Sequence, residues 1–249
     1  MPKKRTYALL GAAGLIGRAL TDHMINTNCN LILCERDITA LNAIRSEYKD
    51  NESVVYHVLD INDESSVHEF IHAYNFDGLV NCTYPKTSEF GKDFYEISYK
   101  HFNQHLGLHL GSTFILLREM LNKFKITKSR VSIVLIGSIY GVIAPKFDIY
   151  EKSESCMPVE YAVIKSGLIH LAKYVSKLAS NSDFRVNVLS PGGVFDNQDT
   201  NLVKNYTKHT FGSGMLNPSE IAPKIHFLLS SDSSYINGQN IVIDDGYTL

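Results

Sequence analysis

Tyr161 and Lys165 stand four positions apart, preceded in the chain by Ser138 and by the glycine-rich stretch Gly11-Ala12-Ala13-Gly14-Leu15-Ile16-Gly17. The pattern of residues 157–180 predicts a helix, which puts phenol and ammonium on one face about one turn apart. A free phenol titrates near pH ~10, and each tenfold change in that equilibrium needs about 1.4 kcal/mol of preferential stabilisation of the phenolate. A neighbouring ammonium in a low-dielectric cleft can supply it. Lys165 is therefore expected to depress the Tyr161 pKa and make the phenol an acid–base catalyst toward a carbinol or carbonyl oxygen. An isolated Tyr-x-x-x-Lys is ordinarily a helix surface pair, so the reading rests on what surrounds it.

The elements that would carry these residues alternate: short β-rich runs with helical patterns between them, no low-complexity linker and no repeat. That is the signature of an α/β doubly wound parallel sheet with helices on both faces. Strands are expected at Tyr7–Leu10, Leu31–Cys34, Val54–Leu59, Gly78–Asn81, Val131–Ile136, Arg185–Leu189 and Asn240–Ile243. Several are continuously apolar, as strands buried on both faces are. Helices are expected at Leu15–Thr27, Ile38–Tyr48, Glu64–Tyr74, within Phe94–Phe124, at Val159–Ala179 and at Ser219–Leu229, with Asn62-Asp63-Glu64 and Asn217-Pro218-Ser219-Glu220 as helix starts. Two stretches, 142–157 and 195–214, resist assignment and are long enough to be substrate loops or lids.

At 249 residues, the chain reads as a single domain, 1–249. With 24 basic and 26 acidic residues its formal charge is −2, which gives no general attraction to nucleic acid or to an anionic membrane. Pro2-Lys3-Lys4-Arg5 reads as a solvated leader rather than a localisation signal. No run is long enough to span a bilayer and no signal-peptide pattern follows Met1, so a soluble cytoplasmic protein is expected. Cys29, Cys34, Cys82 and Cys156 share no metal-ligand spacing and form no disulfide framework; reduced packing residues and no metal are expected.

The glycine stretch follows a strand and opens a helix, so backbone N–H groups and the helix dipole would meet a pyrophosphate there. Glu35, just past the second strand, is placed to accept from an adenosine ribose and to repel a 2′-phosphate. This favours NAD, with NADP left open because Arg36 follows immediately. Asp60 suits the adenine edge, and Asn81 can tie neighbouring strand ends together.

Jointly these residues resemble the short-chain dehydrogenase/reductase family over nearly the whole chain, from Tyr7 to Thr248. The resemblance implies a seven-stranded Rossmann sheet and a catalytic Ser, Tyr-x-x-x-Lys and Asn. These map to Ser138, Tyr161 and Lys165, while the Asn position falls on His109, which reads either as holder of a relay water or as a core histidine. It further implies that Gly11, Gly14, Leu15, Ile16 and Gly17 hold the dinucleotide phosphates, that Asp60-Ile61 binds adenine, and that Pro191, Gly192 and Val194 lie beside nicotinamide. Tyr161 and Lys165 would also touch the nicotinamide ribose. Departures are Asn81-Cys82-Thr83-Tyr84 in place of Asn-Asn-Ala-Gly, and Asp196 where the Pro-Gly-x-x-x-Thr motif has its threonine. The long approach from Ser138 to Tyr161, with the segments around Pro158 and Pro191, is similar to bacterial flagellin-modification oxidoreductases of nonulosonic-acid sugar biosynthesis. That implies a polar sugar or sugar-phosphate substrate held by Lys146, Asn197 and Gln198. Two other readings remain: a non-redox epimerase or dehydratase with tightly held NAD, for which a chain ending at Leu249 leaves little room, and a catalytically silent dinucleotide-binding protein. The family's contact helices, here carrying Leu106, Leu110, Phe114 and Leu117, imply a homodimer or homotetramer, although such a stripe can equally cover the sheet.

Overall fold

The computed structural model describes residues 4–49, 51–151, 153 and 156–249. Pro2 and Lys3 of the basic start, and Lys152, Glu154 and Ser155 of the first loop, lie outside the described residues.

Seven parallel strands among them form one sheet in the order β3-β2-β1-β4-β5-β6-β7, where β1 is Arg5–Leu10, β2 Cys29–Glu35, β3 Val54–Val58, β4 Gly78–Asn81, β5 Val131–Ile136, β6 Phe184–Pro191 and β7 Asn240–Ile243. All seven expected strands are present. Burial explains their composition: every residue of β4 and β6 is buried, whereas the edge strands β3 and β7 are only partly covered. Strand order reverses between β1 and β4, which pair Leu10 with Asn81 at their carboxyl ends. A crevice opens at such a reversal because the helices that follow the two strands leave on opposite faces.

One core layer packs α3 (Glu64–Ala73), α5 (Ser112–Thr127) and α6 (Val159–Ala179) against the sheet through Phe70, Leu117, Phe124, Ile164 and Ala172. The other packs α1 (Leu15–Ile25) and α8 (Pro218–Leu229) through Leu20, Met24, Ile221 and Ile225. Local chemistry sets the helix starts. Asp37 accepts from Thr39 and Ala40 N–H at the head of α2 (Ile38–Glu47), Asp63 accepts from Ser65 N–H at α3, and Asn217 and Glu220 form a reciprocal capping box at α8.

The expected long helix within Phe94–Phe124 is different in detail. It begins at Tyr99, where Ser98 caps α4 (Tyr99–Leu106), passes through a π-helical turn at Gly107–Gly111, and continues as α5 to Thr127. The stretch 195–214 is not irregular throughout; it contains α7 (Thr200–Thr207), capped by Asp199.

Candidate active site

The glycine turn between β1 and α1 is held by backbone contacts. Gly11 and Ala12 N–H both donate to Cys34 O, at 3.0 and 3.2 Å, which ties the turn to the end of β2. Gly11 has φ +77°, a conformation that strains any residue with a Cβ, and a Cβ on Gly17 would lie 2.1 Å from Gly11 O. At Gly14 the nearest atom to an added Cβ is 3.4 Å away. No side chain caps α1 and no acid lies in its first turn, so the positive end of the helix is left for an external anion.

A cavity of about 320 Å³ runs from this turn along the ends of β1, β2 and β3, reaching Glu35, Arg36, Asp60 and Ile61. The Glu35 carboxylate accepts from Ala13 N–H at 3.2 Å and Arg36 N–H at 3.0 Å, so it is fixed at the crevice edge. Arg36 is exposed beside it. Asp60 lies just beyond β3 and accepts from Asn62 N–H at 2.9 Å, while Ile61 is buried as one wall. These residues fit an adenosine dinucleotide: an uncapped helix start for phosphate, a fixed carboxylate for ribose hydroxyls and an apolar wall for a base. Asn81 ties β4 to its own following turn, accepting from Thr83 N–H and Oγ1, and makes a long contact of 3.5 Å to Thr113 on α5. Among the described residues its side chain makes no hydrogen bond to a neighbouring strand end.

A second cavity of about 590 Å³ shares Gly14, Cys82, Thr83 and Tyr84 with the first, so the two form one groove across the strand ends. Ser138, Tyr161 and Lys165 line it together, as do Leu15, Ile16, Pro191, Gly192 and Val194. Ser138 follows β5 and opens a short 3-10 turn by accepting from Tyr140 N–H. Gly141 ends that turn, and a Cβ there would stand 2.7 Å from the Lys165 carbonyl; its absence lets α6 pack closely against the turn that carries Ser138.

Lys165 is buried, with Nζ donating to Ile136 O at 2.7 Å and lying 5.0 and 5.5 Å from the ring centroids of Tyr84 and Tyr161. Loss of water lowers its pKa to about 8. The same burial raises Tyr161 above the ordinary phenol value, opposed by the Ser138 hydrogen bond. This corrects the expected depression of Tyr161 by Lys165. The ammonium spends its bond on a carbonyl, and desolvation of the phenol sets the direction.

His109 sits in the π-helical turn, whose extra residue per turn re-aims the helix here. Its ring is buried and leaves Nε2 without a partner among the described residues. Burial, then the Lys165 and His105 charges, lower its pKa to about 4, so the imidazole is neutral and Nε2 can accept. A cavity of about 10 Å³, the size of one water, is lined by His109, Lys165, Asn81 and Thr113. His109 thus shares a small interior cavity with Lys165, Asn81 and Thr113.

The substrate side departs from expectation. Lys146 turns away to donate to Tyr247 O at 2.8 Å, and its Nζ lies over the Tyr247 ring. Asn197 has φ +57° in an exposed turn and is absent from the cavity wall; only Gln198 of the three lines it, bonded to Val194 O. Asp196 is exposed, donating N–H to Gln198. The wall is aromatic instead, with Tyr84, Phe90, Tyr140, Tyr150 and Tyr206, and Lys86 joins Lys165 as a second cation. Both stretches expected to be loops supply it and are joined to each other: His209 meets Asp148 at 2.8 Å and Asn205 donates to Ile149 O. Sequence reasoning also missed Glu160, wholly buried beside Tyr161 with both carboxylate oxygens unpartnered among the described residues. The only signal was an acid beside the tyrosine, which is common at the start of a helix.

Of the stripe expected for association, Leu117 is core, Leu106 and Leu110 pack against it, and Phe114 alone is exposed.

A family profile described as enoyl-(acyl carrier protein) reductase matches residues 11–248. The post-translational flagellin modification protein A of Campylobacter coli is 34% identical, with 100% of each chain covered. The 3-oxoacyl-(acyl-carrier-protein) reductase FabG of Rickettsia bellii is 26% identical, covering 97% of this chain and 96% of its own. A crystal structure of a short chain dehydrogenase from Leptospira borgpetersenii with bound NAD+ is similar at a TM-score of 0.87 and 28% identity, over 99% of this chain and 94% of that one. No helix among the described residues is long and apolar enough to cross a membrane. With the parallel sheet, its switch point and a profile match spanning almost its whole length, the chain belongs to the short-chain dehydrogenase/reductase family of oxidoreductases, which act on CH–OH and carbonyl groups.

Proposed function

We propose that the protein exchanges a hydride between NAD and a secondary alcohol or ketone on a small polar, sugar-type substrate. The observation that carries this reading is that Ser138, Tyr161 and buried Lys165, one turn on, line the same groove as the uncapped start of α1. Bound NAD would supply the hydride acceptor or donor; Gly11 to Gly17, Glu35, Asp60 and Ile61 would hold its adenosine half, and Pro191, Gly192 and Val194 would flank the other end. Glu35 favours NAD over NADP because its fixed carboxylate would repel a 2′-phosphate, even with Arg36 beside it.

Tyr161 delivers or removes the proton at the reacting oxygen, and Ser138 hydrogen-bonds that oxygen as charge develops on it. Because burial raises Tyr161, the resting side chain is a phenol, ready to donate in the reductive direction. Lys165 stabilises the phenolate left behind, and its proton is replaced through one water held between Nζ and the lone pair of His109 Nε2. The neutral imidazole thereby takes the place of the family's asparagine.

The Campylobacter relative is named for the post-translational modification of flagellin, which supports a role in supplying a group for a surface protein. The hydroxylated aromatic wall supports a sugar-type substrate physically: tyrosine faces stack on sugar rings while their hydroxyls bond to them, and Lys86 can pair with a phosphate or carboxylate. A complete Ser–Tyr–Lys set argues against a silent binding protein. The exposed Phe114 of α5 and Tyr174 and Leu178 of α6 support association through these helices as a homodimer or homotetramer.

The test is a panel of amino-sugars, sugar phosphates and simple sugars with NAD+ or NADP+, followed by absorbance of the reduced nicotinamide. Tyr161→Phe should abolish turnover and leave NAD affinity nearly unchanged. Turnover retained by Tyr161→Phe would remove Tyr161 from the chemistry.

A further inference from the structure

On the sheet face that α3 and α5 cover, three side chains unused by the dehydrogenase site converge. His68 and His72 lie one turn apart on α3, and Glu119 reaches them from α5. His68 Nδ1 is 2.9 Å and His72 Nε2 4.0 Å from the same carboxylate oxygen, Glu119 Oε2, and all three atoms lie within 4.8 Å of one another. The two imidazole rings are 4.4 Å apart between centroids.

We propose that these three side chains form a divalent-metal site of zinc type that braces α3 to α5. Two imidazoles and one carboxylate are a borderline donor set suited to zinc, with three protein ligands and a fourth position left to solvent. Zinc with bonds of about 2.0–2.1 Å spaces tetrahedral ligand atoms about 3.3 Å apart. The spacing here straddles that value, so side-chain rotation closes the site without moving either helix.

The carboxylate is built as an anchor. Its side chain is only 8% exposed, against 60% and 36% for His68 and His72. Arg118 Nε holds the other oxygen, Oε1, at 3.2 Å, which fixes the carboxylate with Oε2 toward the imidazoles. Arg118 is itself paired with Glu64, so its charge opposes a nearby cation less than a free guanidinium would. One imidazole suffices to satisfy the buried acid. A second, converging on the same oxygen from beyond hydrogen-bond range, does nothing for that pairing and supplies the third ligand. No metal is expected from the spacing of the four cysteines; here the two histidines are local, and the acid arrives through the packing of α5 on α3.

The proposal is independent of the redox assignment, and its test does not use activity. Untagged protein, stripped by chelation, is titrated with Zn2+ against a chromophoric chelator, and its thermal midpoint is followed with and without Zn2+. The wild type should bind one Zn2+ and melt about 5 °C higher at saturating metal. His72→Ala, an exposed change, should leave the metal-free midpoint unchanged, weaken Zn2+ binding at least ~10-fold and remove the shift, since loss of an outer-sphere partner alone costs about that much. His68→Ala should weaken Zn2+ binding as far, with a lower metal-free midpoint because it also removes a hydrogen-bond partner of buried Glu119. Absence of stoichiometric binding in the wild type would overturn the site, and so would undiminished binding in His72→Ala, which would place the metal elsewhere, for instance on a cysteine.

Discussion

Replacing Lys165 by methionine keeps the stem of the side chain and deletes its buried charge, which separates what the residue does for catalysis from what it does to the fold. Burial brings the ammonium from the ordinary 10.5 to about 8. That difference corresponds to about 3 kcal/mol against the charged form at neutral pH. The variant is relieved of this cost but leaves Ile136 O without the ammonium donor, a loss of about 1–3 kcal/mol. Lys165→Met should therefore be as stable as the wild type or up to about 2 kcal/mol more stable at pH ~7, a melting rise of at most about 8 °C, while turnover collapses. The sign of the pH dependence follows from the direction of the shift. Because the folded-state value lies below the unfolded one, the unfolded chain binds more protons between about pH 8 and pH 10.5, and wild-type stability climbs across that window. Lys165→Met lacks this contribution, so urea denaturation at pH ~7 and pH ~10 should show the wild type gaining about 3 kcal/mol relative to the variant. A variant more than about 1 kcal/mol less stable at pH ~7, with a gap to wild type that does not change with pH, would refute the claim that desolvation dominates at Lys165.

Other expectations are equally direct. Gly17→Ala forces a Cβ to 2.1 Å from Gly11 O and should lower stability by about 3 kcal/mol or more, whereas Gly14→Ala meets nothing closer than 3.4 Å and should melt like the wild type yet lose dinucleotide affinity. Paired melting curves and NAD titrations tell these apart; equal stability losses would mean that the open side of the turn has been misjudged. His109→Asn should keep most of the turnover and His109→Leu should lose about tenfold or more, equivalent to about 1.4 kcal/mol in the barrier, with NAD affinity unchanged in both. Steady-state kinetics in which leucine matches asparagine would exclude the water relay. Glu35→Ala should gain NADP affinity, read by fluorescence titration with each dinucleotide, and an unchanged preference would undermine the ribose assignment.

The sheet was legible because parallel strands buried on both faces leave an apolar run that periodicity detects, as in β5 and β6. The helix starts at Asp63 and Asn217 were legible because capping is local chemistry. What escaped depends on residues far apart. The π-helical turn at Gly107–Gly111 has no local marker beyond its two glycines, and α7 is short enough that its Asp199 cap was read as part of a loop. Lys146 and Asn197 look from their types like ligands for a polar substrate, but tertiary contacts decide otherwise: the C-terminal carbonyl of Tyr247 captures the first, and a left-handed turn carries the second outward. The Tyr161 phenol shows the same limit, since a sequence reveals the cation one turn away but not how completely water is removed from both groups.

The capture of Tyr247 joins the chain end to the substrate wall. Its buried ring stacks on Tyr206 at 4.6 Å and its hydroxyl lies 3.1 Å from that of Tyr140, and both partners line the substrate cavity. A ligand that tightens this wall must therefore also hold the tail in place, and by reciprocity any event that frees the tail must weaken the ligand by the same factor. Hydrogen-exchange protection of the backbone around Tyr247 thus becomes a gauge of occupancy at a site several elements away, readable before the substrate has been named.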